Sequence, residues 1–190
     1  MATLLSSATH AATLARVAWR PLTAADVETV AALEARVHAA PWSAGNFHDA
    51  LRAGYAARAG LRNGRIVAYG VLMLGPGEAQ LLNLSVAPEA RREGLGRALL
   101  AQFIETAEHC AAEQMFLEVR VSNVAAISLY EREGFVAVAR RASYYPPAPG
   151  GEREDALVMR CALGRLRRRP DTPPSSIGGA GPGDAGSLSG

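Results

Sequence analysis

Two side chains midway along the chain have the chemistry of a base and an acid, Glu118 and Tyr130. A carboxylate can draw a proton from a nucleophile. A phenol of ordinary pKa ~10 can give one to a departing anion of comparable basicity. Asn123, Ile127 and Tyr130 fall at i, i+4 and i+7. A helix would set them on one face, with Tyr130 about 10 Å beyond Asn123 along the axis. Each candidate also has a plainer reading. Tyr130 could pack beside Phe135 in a core, and Glu118 could form a surface pair with Arg120, which shares its face of a strand.

A second stretch suits a different task. An apolar run ends at Pro88 and is followed by Arg91, Arg92, Glu93, Gly94, Leu95, Gly96 and Arg97, where a helical pattern begins at once. A helix N-terminus leaves backbone N–H groups unpaired and carries partial positive charge. Glycines at 94 and 96 would let a ligand approach that backbone, and three arginines stand beside it. The stretch lacks the lysine of a P-loop, so its glycines alone are a weak signal. The succession of strand, basic loop and helix points to a phosphate cradle.

The elements that must hold these groups follow from periodicity and punctuation. Strands are expected at 16–20, 55–61, 65–74, 78–86, 115–121, 135–143 and 155–163. Helices are expected at 23–39, 43–51, 94–112 and 123–133. Thr23 and Asp26 are spaced as an acidic capping box, Ser43 is placed to cap the second helix, and Gly134 to close the fourth. Asn63-Gly64 marks a tight hairpin, whereas 144–153 reads as a Pro/Gly loop with Glu152, Glu154 and Asp155 near it. A strand, a crossover helix and a strand imply that 78–86 and 115–121 run parallel inside an otherwise antiparallel sheet. The fold class is thus α/β (α+β), a mixed sheet of about seven strands flanked by about four helices.

The chain has 190 residues, 49% of them hydrophobic and 20% charged, with a net charge of +2. That supports one domain at 16–163, with disordered ends at 1–15 and 164–190. No stretch is long and apolar enough for a membrane helix and the start is not a secretory signal, so a cytoplasmic location is expected. The net charge resides in the tail with its arginines at 165–169. No nucleic-acid role is expected beyond weak contact by that tail. Every basic residue is arginine, so the protein has no lysine of its own to modify. Cys110 and Cys161 read as isolated buried thiols, and the four histidines show no ligand spacing, so no metal is expected.

Arg91-x-x-Gly94-x-Gly96 followed by Arg97-Ala98-Leu99-Leu100, together with the element order, resembles the GCN5-related N-acetyltransferases. The resemblance implies that acetyl-coenzyme A is the acetyl donor. Its pyrophosphate would rest on residues 91–97, Leu84, Ser85 and Val86 would bond its acyl and pantetheine groups through a strand splayed from its parallel neighbour, and Asn123 would bond a pantetheine amide. A narrower similarity runs through Leu117-Glu118-Val119-Arg120 and Asn123 to Phe135, with Pro41-Trp42-Ser43, Arg140-Arg141 and Tyr144-Tyr145-Pro146. It matches a bacterial subfamily that acetylates the N-terminal alanine of a small-subunit ribosomal protein. The resemblance makes Glu118 the general base and Tyr130 the general acid, with direct attack by the amine. It leaves open other protein N-termini or a small-molecule amine as acceptor, and a module that binds coenzyme A without catalysis.

Overall fold

The computed structural model describes residues 17–147 and 152–164. The expectations for residues 1–15 and for the tail beyond Gly164 lie outside the described residues. Local signals open most elements. β1 (Ala18–Pro21) leads to Thr23, whose backbone N–H and hydroxyl both donate to Asp26, at 2.9 and 2.8 Å. This capping box opens a 3-10 turn that runs on into α1 (Val27–Val37). Ser43 and Asn46 form a reciprocal box at the start of α2 (Ala44–Arg52), Asn46 N–H donating to Ser43 Oγ at 3.2 Å. β2 (Ala56–Arg62) and β3 (Arg65–Gly75) are joined at Asn63 and Gly64, both with positive φ, the conformation a type I′ turn requires.

β4 (Glu78–Val86) precedes α3 (Leu95–His109), β5 (Gln114–Arg120), α4 (Val124–Arg132), β6 (Val136–Tyr145) and β7 (Glu154–Ala162). Among the described residues the strands form one seven-stranded sheet in the order β1-β2-β3-β4-β5-β7-β6, with β4 and β5 parallel and every other pairing antiparallel. No helix among the described residues is long and apolar enough to cross a membrane.

Two expectations are corrected, and one helix face gains a residue. Tyr144 and Tyr145 belong to β6, because Tyr145 pairs with Glu154 and extends the hairpin before the loop begins. α3 stops at His109, so Cys110 lies at its cap and is exposed, while Cys161 is buried. On α4 the cleft-lining residue between Asn123 and Tyr130 is Ala126. Ile127 packs against the core.

One irregularity decides which side chains meet. Val71 of β3 pairs with Asn83, yet the next residue, Leu72, pairs with Leu81, so Leu82 is a surplus residue in β4. A bulge of this kind reverses the alternation on the strand that carries it. Asn83 and Ser85 therefore share the face of Tyr69, which α1 and α2 cover through Glu34 and Phe47. Leu81 takes the opposite face, where α3 packs; there Phe103 lies so close to Gly70 that a Cβ would stand 2.7 Å from its ring. Leu81 pairs with Leu117, so Glu118, the next residue on β5, turns to the face of α1.

Candidate active site

The parallel ladder is short. It runs from Glu78–Gln114 to Leu81–Leu117 and then ends, although β4 continues to Val86 and β5 to Arg120. The strands part beyond the bulge, and the cleft they open is lined by residues 81–84 of β4 and 117–120 of β5. Asn123 and Tyr130 of α4, Tyr145 of β6, and Glu34 and His38 close it. The splay expected of residues 84–86 is present. Leu84 lines the cleft, Ser85 turns its side chain to the face of α1, and Val86 approaches Gly96 at the start of α3.

Glu118 and Tyr130 both line this cleft. Glu118 does not pair with Arg120. Arg141 Nη1 donates to its Oε1 at 2.9 Å, and Tyr144 hydrogen-bonds it as well. That bond is the main cause of the raised pKa of Tyr144. Arg120 pairs instead with Glu154 at 3.1 Å and lies 4.3 Å above the Tyr145 ring. Burial, then Glu118, pushes the Tyr145 phenol up to about 12. Tyr130 satisfies both of its readings: its ring centroid is 5.8 Å from that of Phe135, and it lines the cleft. Burial, reinforced by Tyr145, pushes its pKa up. Proton donation from Tyr130 is therefore more uphill than for an ordinary phenol, and the group stays protonated across the neutral range. Asn123 caps α4, its Oδ1 accepting from the Ala126 N–H at 3.2 Å.

The acidic residues near the β6–β7 connection are already engaged. Glu154 accepts from the Ser122 N–H at 2.7 Å and from Arg120, and both hold its carboxyl below the usual range. Asp155 is likewise lowered by the Ser143 N–H and by Arg140, at 2.7 and 2.6 Å.

At the other end of the cleft, residues 91–97 turn into α3 through Arg92 and Gly94, which have φ of 67° and 83°. Among the described residues no backbone N–H from Arg92 to Arg97 meets a backbone carbonyl. The series resumes at Ala98, which donates to Gly94 at 2.9 Å. Glycine at 94 is explained by its left-handed conformation. Gly96 is not explained in that way, because a Cβ there would meet Leu129, Leu84 and Val86 only at 3.4–3.7 Å, ordinary contact distances. Its missing side chain leaves the helix start open. Glu93 is tied to Arg62, Arg97 donates to Glu133 at 2.7 Å, and Arg91 bonds the Val86 carbonyl at 3.3 Å. Arg91 and Arg92 stay exposed. A row of unpaired amides beside exposed guanidiniums fits a pyrophosphate.

The sequence offered no sign of a buried polar cluster on the cleft's α1 side. Glu34, 2% exposed, accepts from the Tyr69 hydroxyl, from Asn83 Nδ2 at 3.1 Å and from the Trp42 N–H at 3.2 Å. Burial and the bond to Glu34 drive the Tyr69 pKa up. His38 Nε2 lies 2.7 Å from Ser85 Oγ and 3.7 Å from Glu34. Glu34 and His38 are spaced i, i+4 and so share a helix face, but nothing near them in sequence marks that face as the wall of a cleft.

The model of the acetyltransferase (GNAT) family matches residues 19–135. The chain belongs to this family. Its relatives include the [ribosomal protein bS18]-alanine N-acetyltransferase of Escherichia coli strain K12, 41% identical over 127 residues, which cover 67% of this chain and 84% of that protein. The crystal structure of the ribosomal-protein-S18-alanine N-acetyltransferase from Escherichia coli superposes with a TM-score of 0.72 at 36% identity, covering 77% of this chain and 94% of that one. The crystal structure of the NatC complex bound to Gag peptide and CoA has the same fold, with a TM-score of 0.71 at 20% identity over 78% of this chain and 99% of that one. The seven-stranded sheet with its single parallel pair and the helices on both faces are the GNAT fold.

Proposed function

We propose that this protein is a cytoplasmic N-α-acetyltransferase that moves the acetyl group of acetyl-coenzyme A to the N-terminal alanine of ribosomal protein bS18. The observation that carries the reaction class is the parted β4–β5 pair, with a phosphate cradle at one end and a carboxylate and a phenol at the other. The acceptor is suggested by the Escherichia coli relative, which acts on that protein. The donor is suggested by the cradle and by a structure of the same fold that holds CoA.

Acetyl-coenzyme A would supply an activated acyl group on a thiolate leaving group. The backbone amides of residues 92–97, with Arg91 and Arg92, bind its phosphates. The parted edge at Leu84, Ser85 and Val86 offers backbone groups to its pantetheine arm, and Asn123 offers its side-chain N–H₂. Arg141 fixes the direction of the Glu118 carboxylate, which receives a proton from the attacking nitrogen. Tyr130, protonated and buried, gives a proton to the sulfur. No side chain need form a covalent intermediate.

The test is mass spectrometry of bS18 from cells lacking this gene. Loss of acetyl from its N-terminal alanine is expected, and a protein still fully acetylated would refute the acceptor assignment.

A further inference from the structure

The hydrogen bonds around His38 have a single consistent direction. Asn83 gives an Nδ2 hydrogen to Glu34, so its Oδ1 faces Ser85 and can accept from the Oγ hydroxyl at 3.1 Å. A serine has one hydroxyl hydrogen to give. That hydrogen goes to Asn83 or to the Tyr69 oxygen, which Ser85 also bonds, so at the 2.7 Å contact with His38 Ser85 accepts and His38 Nε2 donates. The neutral ring thus carries its hydrogen on Nε2 and presents Nδ1 as an acceptor. Among the described residues Nδ1 has no hydrogen-bond partner. The side chain is 38% exposed and lines the cleft on the face to which the bulge turns Glu118.

An acceptor amine bears two protons too many. Passing from ammonium to amide, its nitrogen loses one proton to free the lone pair and a second after the N–C bond has formed. One proton reappears on sulfur as the C–S bond breaks. The other must reach solvent. We propose that His38 takes the first proton at Nδ1 and releases it to water over its exposed edge, while Glu118 takes the second. Glu34, 3.7 Å away, steadies the imidazolium in between. The proton on Glu118 makes good the one Tyr130 gives to sulfur, so the sum is one acetyl transferred and one proton delivered to water. Glu34 is the charged group within reach of the ring from its own helix. From the other elements Glu118, Arg120, Tyr130 and Tyr145 share the cleft with it, and Arg120 is occupied by Glu154. An α-amine of pKa ~7.7–8.0 is mostly charged at neutrality, and imidazole is the side chain suited to relieve it there.

This assignment rests on the N-terminal acetyltransferase reading. It is tested by kcat/KM for an N-terminal alanine peptide between pH 6 and 9.5 in wild type, H38Q and E118Q. Glutamine at 38 can still donate to Ser85 but takes no proton. H38Q should fall about tenfold or more below wild type at pH 6.5, with the deficit closing as the pH passes the amine's pKa, whereas E118Q should be impaired throughout. A β-fluoroalanine N-terminus, whose amine is largely neutral at pH 7, should narrow the H38Q deficit at that pH. A deficit unchanged by pH and by fluorination, or no deficit, would overturn the role of His38 alone. A wild-type protein that acetylates no N-terminal peptide at any pH would remove the reading of function, and this proposal with it. Should H38Q fail to fold, the same profile for H38N decides.

Discussion

Tyr130 is buried beside Phe135 and lines the cleft, so removal of its hydroxyl should leave the site's shape intact. Tyr130→Phe is expected to bind acetyl-coenzyme A as wild type does while kcat falls by ~10²–10⁴, the usual weight of a positioned proton donor. Binding by calorimetry beside steady-state rates separates the two, and an unchanged kcat would take Tyr130 out of the mechanism. Strand alternation and helix spacing, being local rules, give the faces on which Glu118 and Tyr130 lie, whereas their roles as base and acid come from the family resemblance. Their partners were not legible in the sequence. The pairing of Glu118 with Arg141 spans adjacent regions of the sheet brought together by β7, and the cluster of Glu34, Tyr69, Asn83 and His38 joins residues that only the packing of α1 on β3 and β4 makes neighbours.

Among the elements, the turn into α3 and the entry to α1 each yield an expectation. Gly96→Ala meets only ordinary contacts, so its melting temperature should stay within about 3 °C of wild type. Acetyl-coenzyme A binding should nonetheless weaken by about tenfold, the equivalent of ~1.4 kcal/mol. A variant that melts early, or that binds the donor normally, would contradict the view that Gly96 is kept open for a ligand. At the start of α1, Asp26 accepts two bonds from Arg20 at 2.7 Å and serves the capping box, and these hold its carboxyl far below the usual range. A depressed carboxylate contributes stability above its unfolded value near ~3.9 and loses it as the pH falls further. Asp26→Ala should therefore cost about 1 kcal/mol at pH 7 in a denaturant titration, with Arg20 partly screened by solvent, and progressively less below pH ~4. The caps, the Asn63-Gly64 turn and the strand order could be read beforehand because each is written in adjacent residues. The bulge at Leu82 could not, since an extra residue in an apolar strand shows only against its partner's register.

For the molecule as a whole, the chemistry favours one kind of amine. Neutralising an α-amine at pH 7 costs about 1.4 kcal/mol, against about 4.6 for a lysine. A peptide bearing both is expected to be acetylated at its N-terminus, with lysine modification slower by at least about a hundredfold in tandem mass spectrometry; comparable rates would contradict a site built for α-amines. The parted strands have a consequence of another kind. Beyond Leu81 the facing edges of β4 and β5 have no strand between them among the described residues, so the sheet is unfinished along the line that the donor's pantetheine arm would follow. A bound donor would act there as a missing strand, and the stability of the protein would follow its supply. At a hundred times its Kd such a ligand stabilises a fold by ~2.7 kcal/mol. A cell short of acetyl-coenzyme A would then hold this enzyme in its loosest form, and unused copies would be the first exposed to proteolysis.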